Sequence, residues 1–136
     1  MINSQIIKIV SNDKNFGLKN IFTHKSIAKN SLCGDLIKIE IVVKKNKTKS
    51  MRYETEACIL CEASANLLSR KIKKLCLNDI KDLKKKIKAK KFNLPTKFKE
   101  FKVLYNKENA SRINCVILPI DALLKAFKIR QWKRLL

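Results

Sequence analysis

Two segments in the first half of the chain alternate between apolar and polar positions, as β-strands do. Over residues 36–43 an Ile or Val stands at every second position, from Ile37 to Val43, with Lys38 and Glu40 between them. Residues 50–56 alternate again, with Met51, Tyr53 and Thr55 on one face. The polar stretch 44–49 separates the two segments. The pattern therefore predicts an antiparallel hairpin with a turn over residues 44–49.

After Cys58 the apolar spacing changes to three and four residues, which is typical of a helix. A single buried stripe is predicted there, formed by Leu60, Ala63, Ser64, Leu67, Leu68, Ile72 and Leu75.

Three further helices are predicted towards the C-terminus. Asn78 is placed to cap a helix over residues 79–89 with a basic face, and Pro95 opens a short helix over 97–105. The last helix has an apolar face of Ile117, Ile120, Leu123, Leu124 and Phe127, and a basic tail follows at about 128–136, with Trp132 as an anchor. Residues 1–32 predict a short helix followed by an extended segment.

Length and composition fit one domain over residues 1–136. The chain has 136 residues, of which 46% are hydrophobic, enough for a packed core. No run approaches ~18 apolar residues and residues 1–10 lack a secretory signal pattern, so we expect no membrane span and a cytoplasmic protein. In such a protein, the five cysteines are expected to be thiols or metal ligands rather than disulfides.

The net charge of +21 indicates acidic partners. Lysine supplies 27 of the 32 basic residues, whereas specific recognition of phosphates and bases favours the planar fork of arginine. We therefore expect no specific nucleic-acid partner, only salt-sensitive, non-specific attraction. A basic nucleic-acid-binding module with incidental cysteines remains an alternative hypothesis.

Three cysteines fall at the ends of predicted elements. Cys33 precedes the first strand, Cys58 lies between the second strand and the long helix, and Cys115 lies before or in the first turn of the last helix. Helix N-termini favour thiolates, and Gly34 lets the backbone bring Cys33 and Asp35 together. Three thiolates and one carboxylate suit tetrahedral zinc or an iron–sulfur cluster, and the hard carboxylate would be an exchangeable corner.

The alternative is that these are ordinary buried cysteines, which are common in protein cores. The gaps of 25 and 57 residues between them match no zinc-finger template, and Cys58 with Cys61 forms a single C-x-x-C without a second pair.

Three motifs resemble those of the NifU/IscU/SufU-type iron–sulfur assembly proteins, in the same order. They are Asn-Ser-Leu-Cys-Gly-Asp at residues 30–35, Cys-Ile-Leu-Cys-Glu-Ala-Ser-Ala at 58–65, and Arg-Ile-Asn-Cys-Val-Ile-Leu-Pro at 112–119. The resemblance implies an α+β fold, SufE/NifU-like, with a small antiparallel sheet of a hairpin plus a third N-terminal strand, packed by helices. It implies that Cys33, Asp35, Cys58 and Cys115 bind a transient [2Fe–2S] cluster. Its implied partners are a cysteine desulfurase, which supplies sulfur, and apo-proteins or carriers, which receive the cluster.

The third motif resembles the SufU-type branch more closely. IscU-type scaffolds carry a His directly before the third Cys, where this chain has Asn114, and SufU-type members carry an Arg that matches Arg112. SufU-type proteins are zinc-containing sulfur acceptors for their desulfurase, which would make the chain a sulfurtransferase partner rather than a non-enzymatic scaffold. By this resemblance Cys115 is the expected persulfide acceptor. Arg112 is expected either to stabilise the thiolate or persulfide of Cys115 or to form a surface pair with an acid.

For the other two cysteines and the histidine, a structural role is favoured over a functional one. Cys61 stands where the family has Ser or Ala, one helical turn from Cys58, and is either a buried helix thiol or an alternative ligand. Cys76 matches no motif and is read as structural. His24, the only histidine, is read as a surface or packing residue.

Overall fold

The computed structural model describes residues 4–30, 34–107 and 109–128. The elements in chain order are α1 (Ser4–Ser11), β1 (His24–Lys29), β2 (Leu36–Lys44), β3 (Lys47–Glu56), α2 (Ile59–Lys71), α3 (Leu77–Lys88) and α4 (Ile113–Lys128). Short 3₁₀ segments cover Ile72–Lys74, Thr96–Val103 and Ala110–Arg112. The predictions for Cys33 and for the basic tail beyond residue 128, including Trp132, lie outside the described residues.

The three strands form one antiparallel sheet in the order β1-β2-β3. This confirms the α+β class, the hairpin and the third strand from the N-terminal segment. The predicted turn over 44–49 is too long, because only Lys45 and Asn46 separate the strands. Both residues have positive φ, 52° and 63°, which gives a two-residue turn whose twist matches that of the flanking strands.

The core lies between one face of the sheet and the helices α2 and α4. The alternation predicted for the hairpin holds, since Ile37, Ile39, Ile41, Met51 and Tyr53 are all buried. The helix α2 was predicted to bury one stripe, but it is buried on almost every side because α1, α4 and β3 all contact it. Its small residues Ala63, Ser64 and Ala65 allow this close packing.

The other face of the sheet is partly covered by the chain between α1 and β1. Glu40 points away from the isoleucines, as the alternation predicts, but only 1% of it is exposed. Its Oε1 accepts the backbone N–H groups of Lys19 and Asn20 at 3.0 and 3.1 Å. Arg52, on the same face, donates to the carbonyls of Gly17 and Phe16 at 2.6 and 2.9 Å.

Two predicted helices differ in detail. The helix α3 begins at Leu77 with Cys76 as its N-cap, two residues earlier than the predicted cap Asn78. The segment after Pro95 is a 3₁₀ helix with a kink at Phe98 rather than an α-helix. No helix among the described residues is long and apolar enough to cross a bilayer.

Candidate metal centre

Asp35 is held at the connection between β1 and β2. The backbone N–H of Asn30 donates to the carbonyl of Asp35 at 2.8 Å, and that of Gly34 donates to the carbonyl of Asn30 at 2.7 Å. Gly34 has a φ of +75°, a conformation that glycine adopts without strain. These bonds fix Asp35 one residue before β2, where only 7% of it is exposed.

Cys58 is held between the end of β3 and the start of α2. It is the N-cap of α2, and its carbonyl accepts the N–H groups of Cys61 and Glu62 at 3.1 and 3.2 Å. Because Leu36 pairs with Glu56, Asp35 (one residue before Leu36) and Cys58 (two residues after Glu56) lie at the same end of the sheet.

Cys115 completes the described part of the cluster from a third direction. It is the third residue of α4, and 8% of it is exposed. One ligand atom from each of Asp35, Cys58 and Cys115 can be chosen so that all lie within 4.8 Å of one another. Three residues that are distant in sequence therefore converge at one end of the sheet.

The electrostatics of this cluster favour negatively charged ligands and a cation between them. Cys58 and Cys115 lie at the N-termini of α2 and α4, where the backbone N–H groups and helix dipoles stabilise anions. The Oδ2 atom of Asp35 is buried and has no hydrogen-bond partner among the described residues. Such an atom costs free energy unless a cation or donor satisfies it. The two thiols and the unpartnered carboxylate therefore fit zinc or cluster iron.

The other predicted site residues lie in different surroundings. Cys61 is completely buried in the core, Cys76 is exposed at the start of α3, and neither belongs to the ligand cluster found in the described part of the chain. Arg112 is exposed at the end of the 3₁₀ turn that leads into α4. His24 is buried in β1, with its Nδ1 atom 2.8 Å from the hydroxyl of Thr23.

From the sequence, Ser64 was predicted to lie in the buried stripe of the long helix and in the second motif, but no contact was predicted for it. In the structure its hydroxyl makes a hydrogen bond to α4 close to Cys115. The sequence did contain a signal for this contact, namely a hydroxyl within an otherwise apolar stripe. A buried hydroxyl needs a hydrogen-bond partner.

The fold is thus an α+β domain in which two thiols and a carboxylate converge at two helix N-termini, a set of residues that could hold a metal ion. The family model of the NifU-like N-terminal domain matches residues 1–126, so the chain belongs to this family.

The chain is also similar in sequence to one relative and in fold to two solved structures. An uncharacterized protein of Borreliella burgdorferi is 28% identical over 123 residues, which are 90% of this chain and 79% of that protein. The crystal structure of the N-terminal part of a NifU-like protein from Brucella abortus superposes with a TM-score of 0.81 at 18% identity, covering 96% of this chain and 94% of the other. A protein of Fervidobacterium islandicum AW-1, described as a scaffold for iron–sulfur cluster assembly in the SUF system, superposes with a TM-score of 0.74 at 19% identity over 92% and 95% of the two chains.

Proposed function

We propose that the protein is a scaffold for iron–sulfur cluster assembly, which binds a [2Fe–2S] cluster as cargo and passes it to apo-proteins. The convergence of Asp35, Cys58 and Cys115 is the observation that carries this proposal. Cys33, two residues before Asp35 in the chain, is proposed as the fourth ligand from the family motif.

The ligand chemistry supports transfer rather than permanent storage. Thiolates from Cys33, Cys58 and Cys115 are soft ligands that hold cluster iron firmly. The carboxylate of Asp35 is a hard ligand, so we propose it as the corner at which a ligand of the receiving protein enters. The burial of Asp35 and Cys115 also limits the access of water to this corner.

The second candidate function is that of a zinc-dependent sulfur acceptor of the SufU type. It is favoured by Arg112, which matches the Arg of that branch three residues before the third Cys, and by Asn114, which replaces the His of the IscU-type branch. In this mechanism the thiolate of Cys115 attacks the outer sulfur of a persulfide on the desulfurase. A new S–S bond forms on Cys115, the desulfurase cysteine leaves as a thiolate, and Arg112 stabilises the negative charge. Bound zinc would keep the ligand thiols deprotonated.

Both functions require the same proposed partners. A cysteine desulfurase supplies the sulfur, and apo iron–sulfur proteins or carriers receive the product. The net charge of +21 favours partners with acidic docking faces. No disulfide joins the cysteines in the described part of the chain, which is compatible with the cytoplasmic location that we propose.

The test is the amount of iron, zinc and acid-labile sulfide per chain in anaerobically purified protein, before and after reconstitution with iron and sulfide. The scaffold function predicts iron and sulfide in near-equal amounts in the wild type. The substitutions Cys58→Ser and Cys115→Ser are expected to lower both by about tenfold or more, because each removes a thiolate ligand.

Cys76→Ser is the matched control, because Cys76 is a free thiol that caps α3 outside the ligand cluster and serine is a good N-cap. It should keep the wild-type metal content. Zinc without sulfide, even after reconstitution, would favour the sulfur acceptor instead. Equal metal contents in all four proteins would reject both functions.

A further inference from the structure

We propose that Ser64 is a positioning residue, which sets the distance between Cys58 and Cys115 by joining their two helices. This inference rests on the proposed function, since it concerns the same metal centre. The hydroxyl of Ser64, in α2, donates to the carbonyl oxygen of Val116, in α4, at 2.7 Å. Ser64 and Val116 are both completely buried, so water does not compete for this bond.

The bond lies close to both ligands along their helices. Val116 directly follows Cys115, and Ser64 is six residues after Cys58, or about 9 Å along the axis of α2. Each helix therefore has one ligand at its N-terminus, Cys58 as the N-cap of α2 and Cys115 in the first turn of α4, and one partner of this bond shortly afterwards. A slide or rotation of α4 against α2 would change the Cys58–Cys115 separation and break the bond.

A proline in α4 makes a hydrogen bond from another helix more important near Cys115. Pro119 lies inside the helix and has no N–H group, so the usual bond from residue 119 back to the carbonyl of residue 115 cannot form. The first turn of α4 therefore has one fewer bond of its own. Ser64 supplies a bond from the neighbouring helix at the next carbonyl in the chain.

The fold contains a matched control for this contact. The hydroxyl of Ser26, in β1, donates to the carbonyl of Ala122, also in α4, at 2.6 Å. Ser26 is buried as well, with 5% exposed. Its bond is seven residues beyond Cys115, or about 10 Å further along the helix, and it joins α4 to a strand that carries no ligand. Ser64→Ala and Ser26→Ala thus remove the same kind of bond from the same helix at different distances from the metal centre.

The experiment measures Co²⁺ binding to the apo-protein by the intensity of thiolate-to-cobalt absorption, together with urea unfolding of each apo-protein. Supporting groups behind metal ligands change affinity by about 10–100-fold. We expect Ser64→Ala to raise the Kd for Co²⁺ by about tenfold or more and to alter the cobalt spectrum. Ser26→Ala should change the Kd by less than about threefold, with a similar loss of unfolding free energy. Ser64→Thr, which keeps the hydroxyl, should restore most of the affinity.

The outcomes separate this inference from the proposed function. If the wild type binds no Co²⁺ through its cysteines, the metal centre itself fails. If the wild type binds Co²⁺ and Ser64→Ala binds it with the same Kd and spectrum, the positioning role is overturned. Equal losses of affinity in Ser64→Ala and Ser26→Ala would also overturn it, because the effect would then follow general stability. If Ser64→Thr packs poorly, the comparison between Ser64→Ala and Ser26→Ala still tests the positioning role.

Discussion

Asp35 shows how a single residue can be costly for the fold and useful for the site. One of its carboxylate oxygens is buried and unpartnered within the described part of the chain, although the backbone around it is well bonded. A surface acid could satisfy both oxygens with water, but Asp35 is buried and has a carboxylate oxygen within 4.8 Å of two thiol sulfurs. A cation bound between these three side chains would satisfy the unpartnered oxygen and offset the cost of burying it.

Removing the Asp35 carboxylate should therefore separate stability from metal binding. We expect Asp35→Ala to leave the unfolding free energy of the apo-protein unchanged or to raise it by about 1 kcal/mol, because an unsatisfied buried group is lost. The same substitution should weaken Co²⁺ binding by about tenfold or more. Urea unfolding in the presence of a chelator and a Co²⁺ titration measure the two effects. A loss of more than about 1 kcal/mol in the apo-protein would show that the carboxylate supports the fold instead.

The family motifs grouped Asp35, Cys58 and Cys115 into one proposed ligand set, but no local sequence pattern predicted the contacts that bring them together. Cys58, Cys115 and Asp35 were identified by their places at element ends and by the family motifs. Their proximity depends on the pairing of Leu36 with Glu56 and on the packing of α4 against α2, which no local pattern encodes. The bond from Ser64 spans 52 residues of sequence and is set by the same packing.

At the scale of elements, the start of α3 is determined by a contact of the Asp79 side chain rather than by the cap preference of Asn78. The sequence favours Asn78 as a cap, because Asn is a common N-cap residue. In the structure the helix begins earlier because Asp79, at the third position of the helix, reaches back to the N–H of Cys76 at 3.0 Å. Lys97 adds a second bond to the same Asp79 oxygen at 3.0 Å and joins α3 to the following 3₁₀ segment.

These contacts make the stability of α3 dependent on pH. The N–H of Cys76, and secondarily Lys97, lower the pKa of Asp79 below its ordinary value of 3.8. The stabilisation is therefore present above that value and is lost as the pH falls through the lower folded-state pKa. We expect Asp79→Asn to cost about 0.5–1 kcal/mol at pH 7 and progressively less below about pH 4. Urea unfolding of both proteins between pH 7 and pH 3 measures this, and a difference that stays constant with pH would contradict it.

The strands differ in how far the sequence could reveal them. β2 and β3 show strict alternation, so their existence and inward faces were predicted correctly. β1 has the sequence His-Lys-Ser-Ile-Ala-Lys, in which the buried positions are His24 and Ser26 and the exposed ones are Ile27 and Lys29. Its apolar pattern is nearly reversed, because its pairing with β2 and its contact with α4 determine its position.

At the scale of the whole molecule, the excess of positive charge opposes folding. The net charge is +21, and the four salt bridges among the described residues, those of Lys71, Lys84, Lys86 and Lys97 with nearby carboxylates, are all at least partly exposed. Exposed pairs of this kind contribute little, about 0–1 kcal/mol each. Repulsion among the unpaired lysines should therefore dominate the electrostatic part of the stability.

Salt should consequently stabilise the apo-protein. The screening length falls from about 30 Å at 0.01 M salt to about 3 Å at 1 M, so repulsion between surface lysines is removed first. We expect the thermal midpoint to rise by about 4 °C between 20 mM and 500 mM KCl, equivalent to about 1 kcal/mol. A variant with Lys81, Lys85 and Lys88 replaced by Gln lacks three exposed charges of α3. Its thermal midpoint should be higher than that of the wild type at 20 mM KCl and should increase less with salt. A midpoint that falls with salt in the wild type would instead mean that attractive pairs outweigh the repulsion. The high lysine content would then be a source of stability, and its proposed value in attracting acidic partners would carry no cost to the fold.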